Sequence, residues 1–351
     1  MRIGLLAYST NTGLGIQSQE FYNHIPCEKV MLIDISKFNG YQTHHERFPG
    51  AFCITNGFPT DEEIYGFVKG LDVIFCMETP LNYNLYKMAE DRGVKTIQQF
   101  NWEFLDYINR PELPKPTLFA APSRWEWDKF PYPEKRRLLH VPVNREKLPP
   151  RDIKQFKNFL HIMGNPAAHD RNGTLNTIRA FTKVSKKDIT LTVRVQNEEK
   201  GKELKNLVSG LGDSRIKIDN RNLDNYWDSY NGYDFLIMSR RYGGLCLPMQ
   251  EALSCGMPVL MTDISPNNEF LPMNWLVPAQ KISQFEPRSV VDIYDAPENL
   301  LAKYIIEFAN MNEEEATIEN DVAKHLGDIL SWEKQKPIYE ELFNELIKKE
   351  K

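Results

Sequence analysis

The sequence has no long apolar run. The longest one near the start, Ile3 to Tyr8, is too short for the apolar part of a signal peptide. No other segment reaches the roughly 18 apolar residues that a membrane-spanning helix needs. We therefore expect a soluble, cytoplasmic protein without an integral membrane segment.

Cysteine is scarce and badly spaced for metal binding or cross-linking. The chain has five cysteines, with no Cys-x-x-Cys pair. This pattern excludes a disulfide framework and a zinc knuckle. His44 and His45 are adjacent and would point in different directions from a helix or strand, so a surface loop is favoured over a metal site. The sequence predicts no metal site.

Neither sign of charge is in large excess. The 43 basic and 48 acidic residues give a formal net charge of −5. This excludes a polycation of the kind that binds a nucleic-acid backbone or an anionic membrane, and leaves only a local basic patch open. At 351 residues and 41% hydrophobic content, the chain is long enough for two domains.

Short apolar strand patterns alternate with helical patterns along the chain. The strands are continuously apolar, as in "VMLI" and "VIFCM", which indicates parallel sheets covered on both faces. Three prolines and several charges within residues 142–152 interrupt the alternation, which is typical of a linker. We predict two Rossmann-like domains, residues 1–148 and 149–330, and a C-terminal helix over 331–351 that packs back toward the first domain. Ligands of such sheets bind at the carboxyl ends of the strands.

The segment "SRRYGGLCLPMQEALSCGMPVLMTD", residues 239–263, carries the strongest pattern. Its two glycines allow tight turns, and Pro248 suits the first turn of a helix. Amides at a helix start favour anions, so a phosphate fits this turn. The predicted phosphate-binding residues are Gly243, Gly244, Leu245, Cys246 and Leu247. Glu251, inside the helix, either accepts hydrogen bonds from vicinal ribose hydroxyls or is an acid facing solvent.

This segment resembles the donor-binding signature of retaining glycosyltransferases of the GT-B fold, the family-four group. "TLFAAPSRWEWDKF", "NFLHIMGNPAAHDRNGTLNTIRAF" and "SWEKQKPIYEELF" are similar to other parts of that family in the same order. The resemblance implies two Rossmann-like domains facing each other across a cleft. It also implies transfer of a sugar, with retention of anomeric configuration, from a donor such as a UDP- or GDP-sugar. No cofactor is expected, and the lack of an Asp-x-Asp motif predicts transfer without a metal ion.

The resemblance has two departures. The family carries a glutamate eight residues before Glu251, implied to contact the transferred sugar, whereas this chain has Gly243. The family often has a histidine near the position of Asn101, and an asparagine is no base. Near the glycines, Arg240 and Arg241 either add positive charge for the diphosphate or form a solvated surface pair.

Two further loops are predicted to contact the donor. Arg171, at a helix start after Gly164, would neutralise the departing diphosphate, because no Asp-x-Asp motif offers a divalent ion. The alternative is an exposed arginine at a helix start. Gly13 and Gly15 follow the first strand and form an anion-friendly turn, and the resemblance implies that this loop lies over the donor phosphates and the acceptor. They also fit a dinucleotide fingerprint with Asp34, although its third glycine is Ser18.

Polar residues that follow strands of the first domain are predicted to serve the acceptor. Asn101 and Glu103 are the predicted acceptor-binding residues, and Glu78 and Glu103 are candidate bases, against structural capping roles. The predicted catalytic residues are Arg171, Glu251, Glu78 and Glu103. The acceptor class stays open between a glycan, a lipid-linked or small molecule, and a modified DNA base. The alternative functions are a sugar-nucleotide-binding protein without transfer activity and a nicotinamide enzyme.

Overall fold

The computed structural model describes residues 1–165, 167–221 and 223–348, and it divides into two compact units. The first unit comprises residues 1–142, 287–289 and 332–351. The second comprises residues 143–286 and 290–331. The C-terminal segment therefore folds with the beginning of the chain rather than with the residues that precede it.

The first unit is a parallel sheet of seven strands in the order β3-β2-β1-β4-β5-β6-β7. The strands are β1 Ile3–Tyr8, β2 Lys29–Asp34, β3 Cys53–Asn56, β4 Val73–Met77, β5 Lys95–Gln99, β6 Leu118–Ala121 and β7 Arg136–Leu138. The helices before the C-terminal segment are α1 Gly13–His24, α2 Ser36–Asn39, α3 Asp61–Val68 and α4 Asn84–Glu90. All residues of β1 and β4 are buried, as expected for central parallel strands with both faces covered.

The second unit has a parallel sheet of six strands in the order β10-β9-β8-β11-β12-β13, and a separate antiparallel hairpin. The sheet strands are β8 Asn158–Gly164, β9 Thr190–Val195, β10 Ile216–Asp219, β11 Phe235–Met238, β12 Val259–Thr262 and β13 Leu276–Val277. The hairpin strands are β14 Gln280–Phe285 and β15 Val291–Asp295. The helices are α5 Thr174–Thr182, α6 Glu198–Leu211, α7 Leu247–Ser254, α8 Asn267–Phe270, α9 Glu298–Ala309 and α10 Glu313–Ile329.

These two sheets confirm the predicted α/β class. In each sheet the strand order reverses direction once, between β1 and β4 in the first unit and between β8 and β11 in the second. The loops that leave two such strands diverge to opposite faces and open a crevice at their carboxyl ends. The fold thus marks one position in each unit where a ligand can reach backbone and side chains.

The last helix, α11 Trp332–Lys348, packs against the first sheet. The ring of Phe343 lies 6.2 Å from that of Phe75 and 6.4 Å from that of Phe21. Tyr339 lies 5.9 Å from both of these phenylalanines. The regularly spaced apolar residues of the C-terminal helix therefore complete the core of the first unit.

Some elements differ from the sequence-based expectation. The sequence pattern predicts a helix over residues 224–233, but the structure has a short 3-10 turn, Tyr226–Tyr230. Asn225 and Asn231, which flank this turn, have extended backbone conformations, and Gly232 follows with a φ of +83°, so the turn does not extend into a helix. The sequence pattern also does not predict α3, β3 or the β14–β15 hairpin. Strands β3 and β14 are largely exposed and therefore lack a continuous apolar pattern.

Within the described ranges, no helix combines the length and the apolar character that crossing a membrane requires.

The packing of α11 gives a first prediction. Phe343→Ala should lower the free energy of unfolding by about 3–5 kcal/mol, because it leaves a cavity against Phe21 and Phe75. The control is Ile338→Ala on the same helix, where the side chain is 45% exposed. Urea denaturation followed by circular dichroism measures both. A loss for Phe343→Ala no larger than that for Ile338→Ala would contradict this packing.

Candidate functional site

The loops that follow β8 and β11 meet at the point where the strand order reverses. Ser239, just after β11, donates from Oγ to the carbonyl oxygen of Gly173 at 2.8 Å. A Cβ atom on Gly173 would lie 1.9 Å from the Ser239 carbonyl oxygen, so only glycine fits there. The amide of Arg241 donates to the carbonyl oxygen of Arg171 at 2.8 Å. The beginning of α5 is thereby fixed against the signature turn.

Two predicted donor-binding arginines converge on the signature glycine. A Cβ atom on Gly243 would lie 2.8 Å from Nη2 of Arg240 and 3.3 Å from Nε of Arg171. Arg240 is 3% exposed and donates from Nη1 to the carbonyl oxygen of Gly244 at 2.8 Å. The guanidinium of Arg171 lies 5.1 Å from the ring centre of Tyr242. Two guanidinium groups therefore lie next to Gly243, the position where the resembled family carries a glutamate.

The neighbouring Arg241 is oriented differently from Arg240. Its Nε lies 2.8 Å from Oδ1 of Asp295 on β15, and its Nη1 donates to the carbonyl oxygen of His169. It is 19% exposed at the side chain. The structure therefore separates the arginine pair: Arg240 lies at Gly243, and Arg241 joins the signature turn to the hairpin. A direct role of Arg241 in donor binding stays a prediction.

An acidic residue that the sequence analysis missed occupies the start of α5. The two carboxylate oxygens of Asp170 accept from the amides of Thr174 and Leu175 at 3.0 and 2.9 Å. A carboxylate is a favourable cap at this end of a helix. Because Asp170 already satisfies these amides, an anion near α5 would be contacted through the guanidinium of Arg171 rather than through them.

Glu251 is buried rather than directed to solvent. It is 6% exposed, and its Oε2 accepts a hydrogen bond from the hydroxyl of Tyr230. The interpretation of Glu251 as an acid facing solvent is therefore wrong. Burial, followed by the nearby carboxylate, raises the pKa of Tyr230 well above its ordinary value, so the phenol stays a donor. The sequence could not reveal this contact, because the two residues meet only through tertiary structure.

The other residues predicted to bind the donor in the second unit lie at the end of β8 or in the signature segment itself. Gly164 ends β8 with a φ of +65°, and its neighbour in space, Asn172, donates to the carbonyl oxygens of Ile162 and Met163. Gly243 has a φ of +112°, a conformation that strongly favours glycine. Along the signature, Gly243, Gly244, Cys246 and Leu247 are buried and Leu245 is half-buried.

In the first unit, the structure brings a predicted acceptor-binding residue, Asn101, together with a candidate base, Glu78. Nδ2 of Asn101 donates to Oε1 of Glu78 at 2.9 Å. Glu78 follows β4 with a φ of +60°, which is strained for a residue with a side chain. Its carbonyl oxygen accepts from Nε2 of Gln98 at 2.6 Å, and this holds the conformation. Glu103 is 3% exposed in the 3-10 turn that follows Asn101.

Gly13 and Gly15 lie at the first turn of α1, also in the first unit. A Cβ atom on Gly15 would lie 1.8 Å from the carbonyl oxygen of Thr10, and its amide donates to Oγ1 of Thr12 at 3.4 Å. Close packing therefore accounts for this glycine. Asp34 accepts from the amide of Ser36 at 2.9 Å, so the residue needed for a dinucleotide fingerprint is engaged locally.

The described residues contain no group of three or more His, Cys, Asp or Glu side chains that could hold a metal ion.

Comparison with known proteins confirms the resemblance. Residues 158–291 match the family model of the Glycosyl transferases group 1, a range that includes both arginines and Glu251. No curated protein matches the sequence.

Solved structures of low identity share the fold along almost the whole chain. HepE from Anabaena, in complex with UDP and glucose, is 14% identical over 97% of this chain and 99% of its own, with a TM-score of 0.70. Sucrose-phosphate synthase from Thermosynechococcus elongatus and a glycosyltransferase from Rickettsia africae ESF-5 are each 12% identical over 99% of both chains, also with a TM-score of 0.70. The chain therefore has the GT-B fold of these enzymes, as the resemblance implied.

The packing at Gly243 gives a second prediction. Gly243→Ala should destabilise the protein by about 1–3 kcal/mol, because the new Cβ would require a strained φ and would meet Arg240. Gly210→Ala is the control, since that helical glycine has no atom within 4 Å of a Cβ. It should leave stability unchanged or raise it slightly. Equal unfolding midpoints for the two variants in urea would contradict the geometry described.

Proposed function

We propose that this glycosyltransferase of the group 1 type moves a sugar from a UDP- or GDP-sugar to an acceptor, with retention of anomeric configuration and without a divalent cation. The observation that carries the proposal is the convergence of Arg171 and Arg240 on Gly243. This cluster lies where the strand order of the second sheet reverses, which is the expected ligand position in such a fold.

The two guanidinium groups are proposed to hold the diphosphate of the donor. Guanidinium–phosphate contacts are charge-assisted and geometrically specific. As the bond to the sugar breaks, negative charge develops on the departing phosphate, and cations already in position stabilise it. Arg171 and Arg240 supply that charge from the protein itself, which is why we propose transfer without a metal ion.

The nucleoside is proposed to contact Glu251. A carboxylate can accept hydrogen bonds from both hydroxyls of a ribose. Glu251 lies in α7, the helix that follows the signature turn. If the turn holds the phosphates, the ribose attached to them would lie close to Glu251. The complex of HepE with UDP and glucose supports a uridine donor for this fold, although the nucleobase of this chain's own donor is open to either UDP or GDP.

The acceptor is proposed to contact Glu78 and Asn101 in the first unit. Asn101 fixes the carboxylate of Glu78, and a fixed carboxylate can orient an acceptor hydroxyl. In a retaining transfer of this type the departing phosphate itself helps to take the acceptor proton, so no strong protein base is required. Glu103 is a second candidate for orienting the acceptor. A glycan, a lipid-linked or small molecule, and a modified DNA base all offer the required hydroxyl.

One observation favours a second candidate function. Gly243 replaces the glutamate that the resemblance implies for contact with the transferred sugar. A chain without that contact could bind a nucleotide sugar without transferring it. Binding and turnover therefore have to be measured separately.

The central experiment combines a thermal-shift panel of nucleotide sugars with turnover of a labelled donor. We expect one UDP- or GDP-sugar to raise the melting temperature and to be turned over in EDTA. Tight binding without turnover would favour the second candidate. A protein that no nucleotide sugar stabilises would contradict both.

The role of Glu251 gives a third prediction. Glu251→Ala should abolish stabilisation by the best ligand of the panel, because the ribose hydroxyls lose their acceptor. Glu319→Ala is the matched control, since Glu319 also accepts from a buried aromatic donor, Trp275, at 2.6 Å in the same unit. The control should keep the full shift. If Glu251→Ala keeps it too, Glu251 is not part of the donor site.

A further inference from the structure

Tyr230 and Glu251 form a buried pair behind the signature turn. Tyr230 ends the 3-10 turn that precedes β11, and it is 2% exposed. Its hydroxyl donates to Oε2 of Glu251 in α7. The two residues come from different elements of the second unit, so the pair joins the segment before β11 to the helix after it.

Stability alone does not account for this pair. Burying a carboxylate costs free energy unless strong partners compensate, and an apolar residue of similar size would fill the same space at lower cost. Tyr339 shows how a buried tyrosine is satisfied elsewhere in the chain, by donating to the backbone carbonyl of His140 at 3.0 Å. A side-chain carboxyl partner for Tyr230, in place of a backbone carbonyl, therefore points to a use for that carboxyl group.

The chemistry of the pair defines that use. A glutamate side chain has three rotatable bonds, and fixing them before a ligand arrives removes an entropic cost from binding. The phenol donates one hydrogen bond, and a carboxylate can accept about four. The anchored carboxylate can therefore accept from hydroxyl groups in a direction that the phenol helps to set. Two adjacent hydroxyls match this arrangement better than one.

We propose that Tyr230 is a positioning residue that aims the carboxylate of Glu251 at the two ribose hydroxyls of the donor, and so makes the site selective for ribonucleotides over 2′-deoxyribonucleotides. This inference rests on the proposed function, because it assumes a nucleotide donor at Glu251. Tyr230 contacts no substrate atom in this account. Its effect passes through the carboxylate alone.

The test compares the affinities of UDP and 2′-deoxy-UDP, and of GDP and 2′-deoxy-GDP, by isothermal titration calorimetry. Wild-type protein should prefer one ribonucleotide to its deoxy form by about tenfold or more, the scale of a hydrogen bond to a charged group. Tyr230→Phe should reduce that preference about fivefold or more, mainly by weakening the ribonucleotide. Tyr339→Phe, which removes another buried hydroxyl from the first unit, should leave the preference unchanged.

A double-mutant cycle distinguishes a positioning role of Tyr230 from a purely structural effect of its substitution. Glu251→Gln should lower the preference for the ribonucleotide, and adding Tyr230→Phe to it should lower the preference no further. If Tyr230→Phe does not fold, Tyr230→Leu in both backgrounds gives the same comparison. Equal weakening of the ribonucleotide and the deoxyribonucleotide, or additive effects of the two changes, would overturn the positioning role while leaving nucleotide binding intact. Failure of the wild-type protein to bind either diphosphate would instead overturn the proposed function, and this inference with it.

Discussion

The packing of two guanidinium groups against one glycine is the contact on which the proposed donor site depends. Arg171 arrives from the loop after β8 and Arg240 from the loop after β11. Like charges repel, so each needs its own support: the ring of Tyr242 for Arg171 and the carbonyl oxygen of Gly244 for Arg240. A side chain at Gly243 would separate them from the turn. Without a side chain at Gly243, both guanidinium groups lie close to the same point of the turn.

Specific partners also contact the acidic residues of the predicted donor and acceptor sites. A neutral donor contacts two of the three candidate carboxylates: the phenol of Tyr230 at Glu251, and the amide of Asn101 at Glu78. Carboxylates held in this way remain able to accept hydrogen bonds from the hydroxyls of a sugar or a ribose.

Continuous apolar strands separated by helices were sufficient to predict both parallel sheets, because a buried parallel strand has no solvated face to interrupt the pattern. The signature also predicted a glycine turn, but it left open whether the adjacent arginines line that turn or lie on the surface. The sequence did not predict the contacts that give these residues their orientation. Tyr230 was read as part of a helix, and the cap formed by Asp170 and the ion pair of Arg241 with Asp295 were missed. Each of these depends on residues brought together by the tertiary fold, and β14 was missed because its exposed, polar sequence lacks the apolar pattern of a core strand.

The claim that guanidinium groups at Gly243 hold a diphosphate is tested most directly by the affinity difference between nucleoside diphosphates and monophosphates. Isothermal titration calorimetry of UDP, UMP, GDP and GMP with wild-type protein and with Arg171→Gln measures it. The account predicts that the variant loses about tenfold or more in affinity for the preferred diphosphate, while the affinity for the matching monophosphate changes much less. An equal loss for both nucleotides, or no loss for either, would contradict it.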